Sequence, residues 1–518
     1  MLLALGGMIV AAMTVDLNEA VSSILLPNIS GGLGIGSDQA SWFGTLYDAA
    51  EIIGMVISPW FAITFSFRRW SLGVIFFTAL SSVLMPLTSN INMIFILHGL
   101  QGLCGGLTIP LLMATALRAL APPIRLVGLA CYALTASFFP NLSTAVAALW
   151  SGVGDSVLGW QFAFYEAVPL CMIAAVFVWF GMIQDHIQLH RFKAFNWRGF
   201  ILAIFGLGSL AIVLEQGSRL DWYNSQLISV LSLLVCVCVP LFLINEWFCE
   251  TPFIKLRMLS RRNLAYSLVT LFGFLIVGQA ASTVPNLYLQ DVQGLLPAQS
   301  YMITFSVAVS QLILLPLMVF VLDIESVDAR LIAMIGKFCL LIACIGSSFL
   351  TAVWEPGQFY LWQGFASIGE AMVVMPLLMK ATNVVKPEEG AFAAALINTP
   401  RAISSAVSVW LINLVQSWRG NLHSTRLTEQ IGQERFRVIQ GHGALAIGPA
   451  PLLPNGTPSS PGSLETLYSM VNQQVSVLTI SDLYLVLAGI AVLLILLVFV
   501  LPQRSYPPRI ALLMKKIG

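Results

Sequence analysis

Hydrophobic residues in this chain come in long runs broken by short polar turns, with no sustained alternation. Fourteen runs are long enough to cross a bilayer: 2–26, 40–64, 70–88, 92–115, 126–150, 160–183, 197–216, 226–248, 264–287, 300–322, 330–353, 359–382, 390–416 and 481–502. About 20 apolar residues at ~1.5 Å per residue cover the hydrocarbon layer, so each run predicts one spanning α-helix. An even number of spans puts both termini on one side. Most of the 25 Lys and Arg fall in the tail or in loops after even-numbered runs, among them Arg68, Arg69, Arg118, Arg125, Arg261 and Arg262. The short loops on the other side hold only Arg219. The positive side is normally cytoplasmic, so both termini are expected there.

The segment 417–480 is the one sizeable hydrophilic stretch, and it falls on the outer side. Ser417–Gln440 reads as a polar continuation of the thirteenth helix. Gly441–Gly462 is rich in Pro and Gly and reads as irregular. Leu464–Val477 reads as a short returning helix. About 64 residues is too little for an independent core to be expected.

Composition sharpens this picture. Of 518 residues 58% are hydrophobic and 9% charged, against about 25% charged in soluble domains. A net charge of +1 with no basic block gives no sign of nucleic-acid binding. The eight Cys lie in or beside apolar runs without metal-ligand spacing, so neither a metal nor a disulfide is expected. No Gly-rich phosphate loop is present, so neither an enzyme nor an ATP-driven pump is indicated, and no cofactor is expected. The first run is too long and lacks the basic start of a cleavable leader.

Charged residues inside such runs are the candidate chemistry. Asp16 and Glu19 lie near the middle of the first run and, with Ser23, share one helix face. Each carboxylate costs about 2.5–3.5 kcal/mol to insert, so it should face a bundle interior or a wet cavity. Asp48 and Glu51 repeat the spacing in the second run. Glu166, Glu370, Arg401 and Lys337 lie in later ones. One reading is a set of polar pairs that orient helices; the other is protonatable sites on a transport path. Glu19, Glu51 and Asp16 suit proton exchange. Asp48, Glu166 and Glu370 suit attraction of a cationic substrate, with Phe138 and its aromatic neighbours as flat cavity walls. Lys337 is expected to snorkel toward the cytoplasmic end of its helix. Glu215 and Glu246 read as helix-end residues.

Several stretches resemble one family, the fourteen-helix drug:proton antiporters of EmrB/QacA type in the major facilitator superfamily. They are Gln101-Gly-Leu-Cys-Gly-Gly-Leu-Thr-Ile-Pro110, the run Gly206 to Trp222 with its Asp221-Trp222 turn, and Thr251 to Asn263. Gln363-Gly-Phe, Met375-Pro376-Leu, Ala393 to Arg401 and His423 to Thr428 complete them. The resemblance spans essentially the whole chain. It implies two six-helix bundles, 1–183 and 263–518, with two inserted helices and linkers at 184–262, and a substrate site midway across the membrane.

The chain also departs from the family. Asn18 stands where the family has an acid nine residues before Pro27. His98 replaces an Arg, exchanging a fixed charge for a titratable one. A pairing of His98 with an acid of helix 1 or 2 is expected to switch with protonation; a hydrogen-bonded structural His is the alternative. At the helix 2–3 gate only Arg68 and Arg69 survive. The fifth helix keeps small residues (Ser143, Thr144, Ala147, Ala148) but not the Gly-Pro kink. Arg401 matches a family position and is expected to pair with a buried acid, Glu370 being the first candidate.

The resemblance implies a proton-coupled exporter of toxic or drug-like amphiphiles in the bacterial inner membrane. It also implies a periplasmic adaptor and an outer-membrane channel where the source has two membranes. A dedicated exporter of an endogenous metabolite, such as a siderophore or fatty acid, and a non-transporting membrane sensor are the alternatives.

Overall fold

A computed structural model describes residues 2–119, 125–154, 160–324, 327–383, 385, 389–433 and 461–500. Among the described residues the chain is helical throughout, without strands. Twelve helices there are long and apolar enough to cross a membrane.

Seven helices of nine or more residues come first: α1 (Leu2–Ile24), α2 (Trp42–Phe65), α3 (Phe67–Leu84), α4 (Ile91–Ala119), α5 (Arg125–Ala133), α6 (Phe138–Gly154) and α7 (Ala167–Gly181). A short helix, Leu26–Leu33, carries Pro27 near its start and ends on Gly34 in the left-handed region, φ 65°, which glycine adopts freely. Next come α8 (Trp197–Gln216), α9 (Gln226–Phe248), α10 (Arg262–Gly278), α11 (Thr283–Asp291), α12 (Pro297–Leu322), α13 (Ala329–Ser347), α14 (Pro356–Asn383), α15 (Gly390–Gln433) and α16 (Pro461–Leu497).

Two predicted runs are broken over four residues each. The run at 126–150 divides into α5 and α6 around Leu134–Ser137, and that at 264–287 into α10 and α11 around Gln279–Ser282. Irregular backbone at membrane depth survives only where protein or a wet cavity satisfies it, and both breaks line the central cavity described below. The fifth run lacks the family's Gly-Pro kink, and its helix is instead interrupted just ahead of Phe138 and Pro140. The other departure is at the C-terminal end. The return at Leu464–Val477 is not a separate short helix but the first part of α16, because no Pro or Gly interrupts residues 463–488. The polar extension of the thirteenth run is helical to Gln433. The rest of it, the Pro/Gly-rich stretch up to residue 460 and the basic tail lie outside the described residues.

Packing follows residue size. α2 lies along α4, and a methyl group on Gly102 or Gly106 would strike the backbone of Tyr47 or Glu51. These glycines belong to the Gln101–Pro110 motif, so the motif's role is backbone approach, as in small-residue membrane interfaces generally. The approach also fixes where Glu51 sits. α8 rests on α2 and α15, while α9 packs chiefly on α8. Only Ile228, Phe242 and Glu246 of α9 are buried, as expected of a helix apolar all round and facing lipid. Glu246 accepts from Asn196 Nδ2 at 2.7 Å and from the Ile254 amide at 3.0 Å, so it ties the start of α8 to the end of α9.

Lys337 does not snorkel. Its ammonium is buried and donates to the Tyr266 hydroxyl at 3.1 Å and the Leu494 carbonyl at 2.8 Å. The side chain lies where α13 faces α10 and α16, so its polar partners are inside the protein and reaching the interface would forfeit both bonds.

Candidate functional site

A cavity of about 300 Å³ lies between α1, α2 and α6 on one side and α10, α14 and α15 on the other. Asp16 and Glu19 project into it from α1, Glu51 from α2, Glu370 from α14 and Arg401 from α15. The i, i+3 spacing of the α1 acids thus aims both inward, as their shared face required. Asp16 is 6% exposed, and its Oδ2 atom has no hydrogen-bond partner. Glu370 accepts from Gln311 Nε2 at 2.8 Å.

Arg401 forms no ion pair with Glu370 or any other acid among the described residues. It donates from Nη1 to Thr135 Oγ1 at 3.0 Å and from Nη2 to the Thr135 carbonyl. The break between α5 and α6 exposes that carbonyl, which a continuous helix would have used internally. This corrects the expected Arg401–Glu370 pair. One turn earlier on α15, Asn398 Oδ1 accepts from the Tyr132 hydroxyl at 2.6 Å. Tyr132 and Thr135 had no motif or charge to single them out, and Asn398 stood in the Ala393 to Arg401 stretch without a role of its own.

A second cavity of about 430 Å³ borders α1, α2, α8 and α15. Glu19 and Ser405 line both cavities. Asp48, expected at the substrate site, lies in this second cavity and not in the central one. His98 also borders it, but pairs with no acid among the described residues. Its Nδ1 lies 3.1 Å from Gln101 Oε1 and 3.5 Å from Ser22 Oγ, and its ring packs on Phe43 and Tyr47. Gln101 continues to Ser82 Oγ at 3.3 Å, which Asn18 Nδ2 reaches at 3.0 Å. Asn18 therefore faces a neutral network behind the cavity, while its acidic neighbours Asp16 and Glu19 face the cavity itself.

Four other candidates sit elsewhere. Glu166 accepts from Trp150 Nε1 at 2.6 Å and does not line the central cavity. Phe138 packs on Phe139 and also lies off it. Arg68 stacks over Trp179 at 4.5 Å, which holds this basic residue on α7. Arg69 carries an exposed side chain, and its Nη2 donates to the Gln184 amide oxygen at 2.9 Å.

These features define a class: a helical, multi-pass membrane protein with acids and one arginine around a cavity between helix sets. Residues 8–409 match the Major Facilitator Superfamily, and the chain belongs to that superfamily. It is similar to the multidrug export protein EmrB of Escherichia coli (strain K12), with 23% identity over 454 residues covering 82% of this chain and 83% of that one. It is similar to the fatty acid resistance protein FarB of Neisseria gonorrhoeae, with 24% identity over 416 residues and 80% of each chain covered. Such matches over most of the chain mark a divergent EmrB-type member. Among solved structures, a POT family transporter in complex with 5-aminolevulinic acid superposes with a TM-score of 0.59, at 13% identity and over 96% of this chain and 95% of that one. At that identity the likeness speaks for the fold.

Proposed function

We propose that this protein is a proton-coupled exporter of amphiphilic, drug-like compounds across a bacterial inner membrane. The observation that carries the reading is the central cavity, with Asp16, Glu19 and Glu51 facing Arg401 and none of the three acids ion-paired with it. With Glu370, four ionised carboxylates around one low-dielectric cavity repel one another, and one guanidinium offsets only one of them. Protons or a cationic cargo supply the balance. Exchange of one for the other at the same carboxylates is antiport.

The same reading takes fourteen spans, both termini in the cytoplasm, bundles 1–183 and 263–518, and the inserted pair within 184–262. On that topology the Tyr132–Asn398 and Arg401–Thr135 bonds close the cytoplasmic side, and the cavities face outward. Rocking about the central site would reverse this. His98 then acts as a positioning residue for Asn18 and Gln101 and not as a proton carrier. The outer ends of α15 and α16 are held together by Asp482, which accepts from Arg419 Nε at 2.6 Å and lies 2.6 Å from His423 Nε2. That clamped hairpin suits docking of a periplasmic adaptor linked to an outer-membrane channel.

A dedicated metabolite exporter is the second reading, and Arg401 favours it. A guanidinium that faces a cavity without an acid partner suits a carboxylate cargo such as a fatty acid.

The test is proton release by purified protein in detergent on addition of cationic, neutral and anionic compounds. Release is expected with at least one class and should be lost in Glu19→Gln or Glu51→Gln. Release with anionic compounds alone selects the metabolite reading, and no release with any compound removes both.

A further inference from the structure

The second cavity contains an acid that the central site does not use. Glu215, at the end of the inserted helix α8, lies within hydrogen-bond reach of Asp48 on α2. Two carboxyls bond to each other only when one carries a hydrogen. Thr45 lies within hydrogen-bond reach of Glu215 as well, while its Oε1 atom is buried without a partner. The Tyr47 side chain is 1% exposed and borders the same cavity, and its hydroxyl is likewise unpartnered. A space of about 430 Å³ with these unsatisfied oxygens on its edge has room for water beside them.

The neighbours give this space two ends. Inward, Glu19 borders both cavities. Outward, Gln216 Nε2 donates to Thr45 Oγ1 at 2.7 Å, and its Oε1 accepts from Arg219 Nε at 2.6 Å. Arg219 reaches the exposed Asp38 at 3.0 Å. The charged groups facing Glu215 are Asp48 and Glu51 from α2, Glu19 from α1 and Arg219 beyond its own helix end. From α15 the cavity receives Ser405, Val409 and Asn413, and the one acid of α9, Glu246, lies at that helix's far end.

We propose that Asp48 and Glu215 form a second proton-holding pair, and that Glu19 passes protons between this pair and the central cavity. The step moves one proton: it leaves the Glu19 carboxyl through cavity water and joins the carboxylate of the pair, and the charge count is unchanged. This rests on the exporter reading and adds to it a purpose for the inserted helix, which supplies half of the pair.

Infrared spectra of the purified protein in lipid, recorded as the pH is lowered, test the pair without any transport. Asp48→Asn and Glu215→Gln should remove the same component of the protonated-carboxyl band, since either change removes the shared hydrogen. Different components, or no loss, overturn the pair. Proteoliposomes with ethidium as probe test the hand-over. Glu215→Gln should lower uptake driven by a pH gradient about 10²-fold, leave ethidium counterflow in place, and be partly rescued by Glu215→Asp. Loss of both activities, or of neither, overturns the hand-over. Wild-type vesicles that move ethidium in neither assay count against the exporter reading instead, and the infrared result then decides the pair alone.

Discussion

Arg401 shows how a side chain's neighbours decide its chemistry. Its bond to the Thr135 carbonyl needs a planar, forked donor, which a lysine ammonium does not reproduce. Arg401→Lys is therefore expected to keep binding of anionic compounds but loosen the contact between α15 and the α5–α6 break, whereas Arg401→Ala should lose anionic binding altogether. Fluorescence titration with one anionic and one cationic compound separates these outcomes. His98 supports a different prediction. Its ring fills space between Phe43, Tyr47 and Gln101, so His98→Ala should destabilise the protein by about 2–4 kcal/mol. His98→Gln, which keeps a hydrogen-bonding group there, should leave the pH profile of transport unchanged. Thermal melting in detergent checks the first, and rates at several pH values check the second. The acids of α1 and α2 were legible in the sequence because burial of a charge is costly wherever it occurs. The direction in which Arg401 and His98 turn was not, because their partners are a freed carbonyl and a neutral amide, which leave no mark in composition.

Helices were legible where a run was uniformly apolar, and illegible where an interruption depended on a cavity. Nothing between Leu134 and Ser137 is a strong breaker, yet the chain leaves the helix there because Arg401 and the cavity take up the freed polar groups. Gly102 and Gly106 stood out in the sequence only as part of a family-like motif; that they let α4 approach α2, and what this does to Glu51, emerged with the structure. Gly106→Val should force α4 away from the Glu51 backbone, costing about 1–3 kcal/mol and displacing that acid. A lower melting temperature together with reduced proton release checks it, whereas a Gly73→Ala control, which meets open space, should change neither.

At the scale of the molecule, the Tyr132–Asn398 and Arg401–Thr135 bonds join halves of the chain more than 260 residues apart. Weakening them with Tyr132→Phe and Asn398→Ala should shift the carrier toward its other state. In a background without native cysteines, a cysteine at Ala402 should then react faster with a reagent supplied from the cytoplasmic side. Unchanged reactivity would mean the closure is held elsewhere. The adaptor proposal predicts that deleting 444–462 impairs efflux from whole cells but not transport in proteoliposomes; equal loss in both would argue against docking. The superfamily architecture was readable from the runs and motifs together. The sharing of Glu19 between two cavities was not, since it depends on how α1, α2, α8 and α15 meet.

The near-isolation of α9 also makes it an attachment point. Cys236 is exposed on a helix whose principal neighbour is α8, so a bilayer-soluble thiol dye should reach it without crowding either cavity. With the other seven thiols replaced, one dye on Cys236 and a second on the outer hairpin would turn the rocking of the carrier into a change in energy transfer, visible in single molecules while cargo moves.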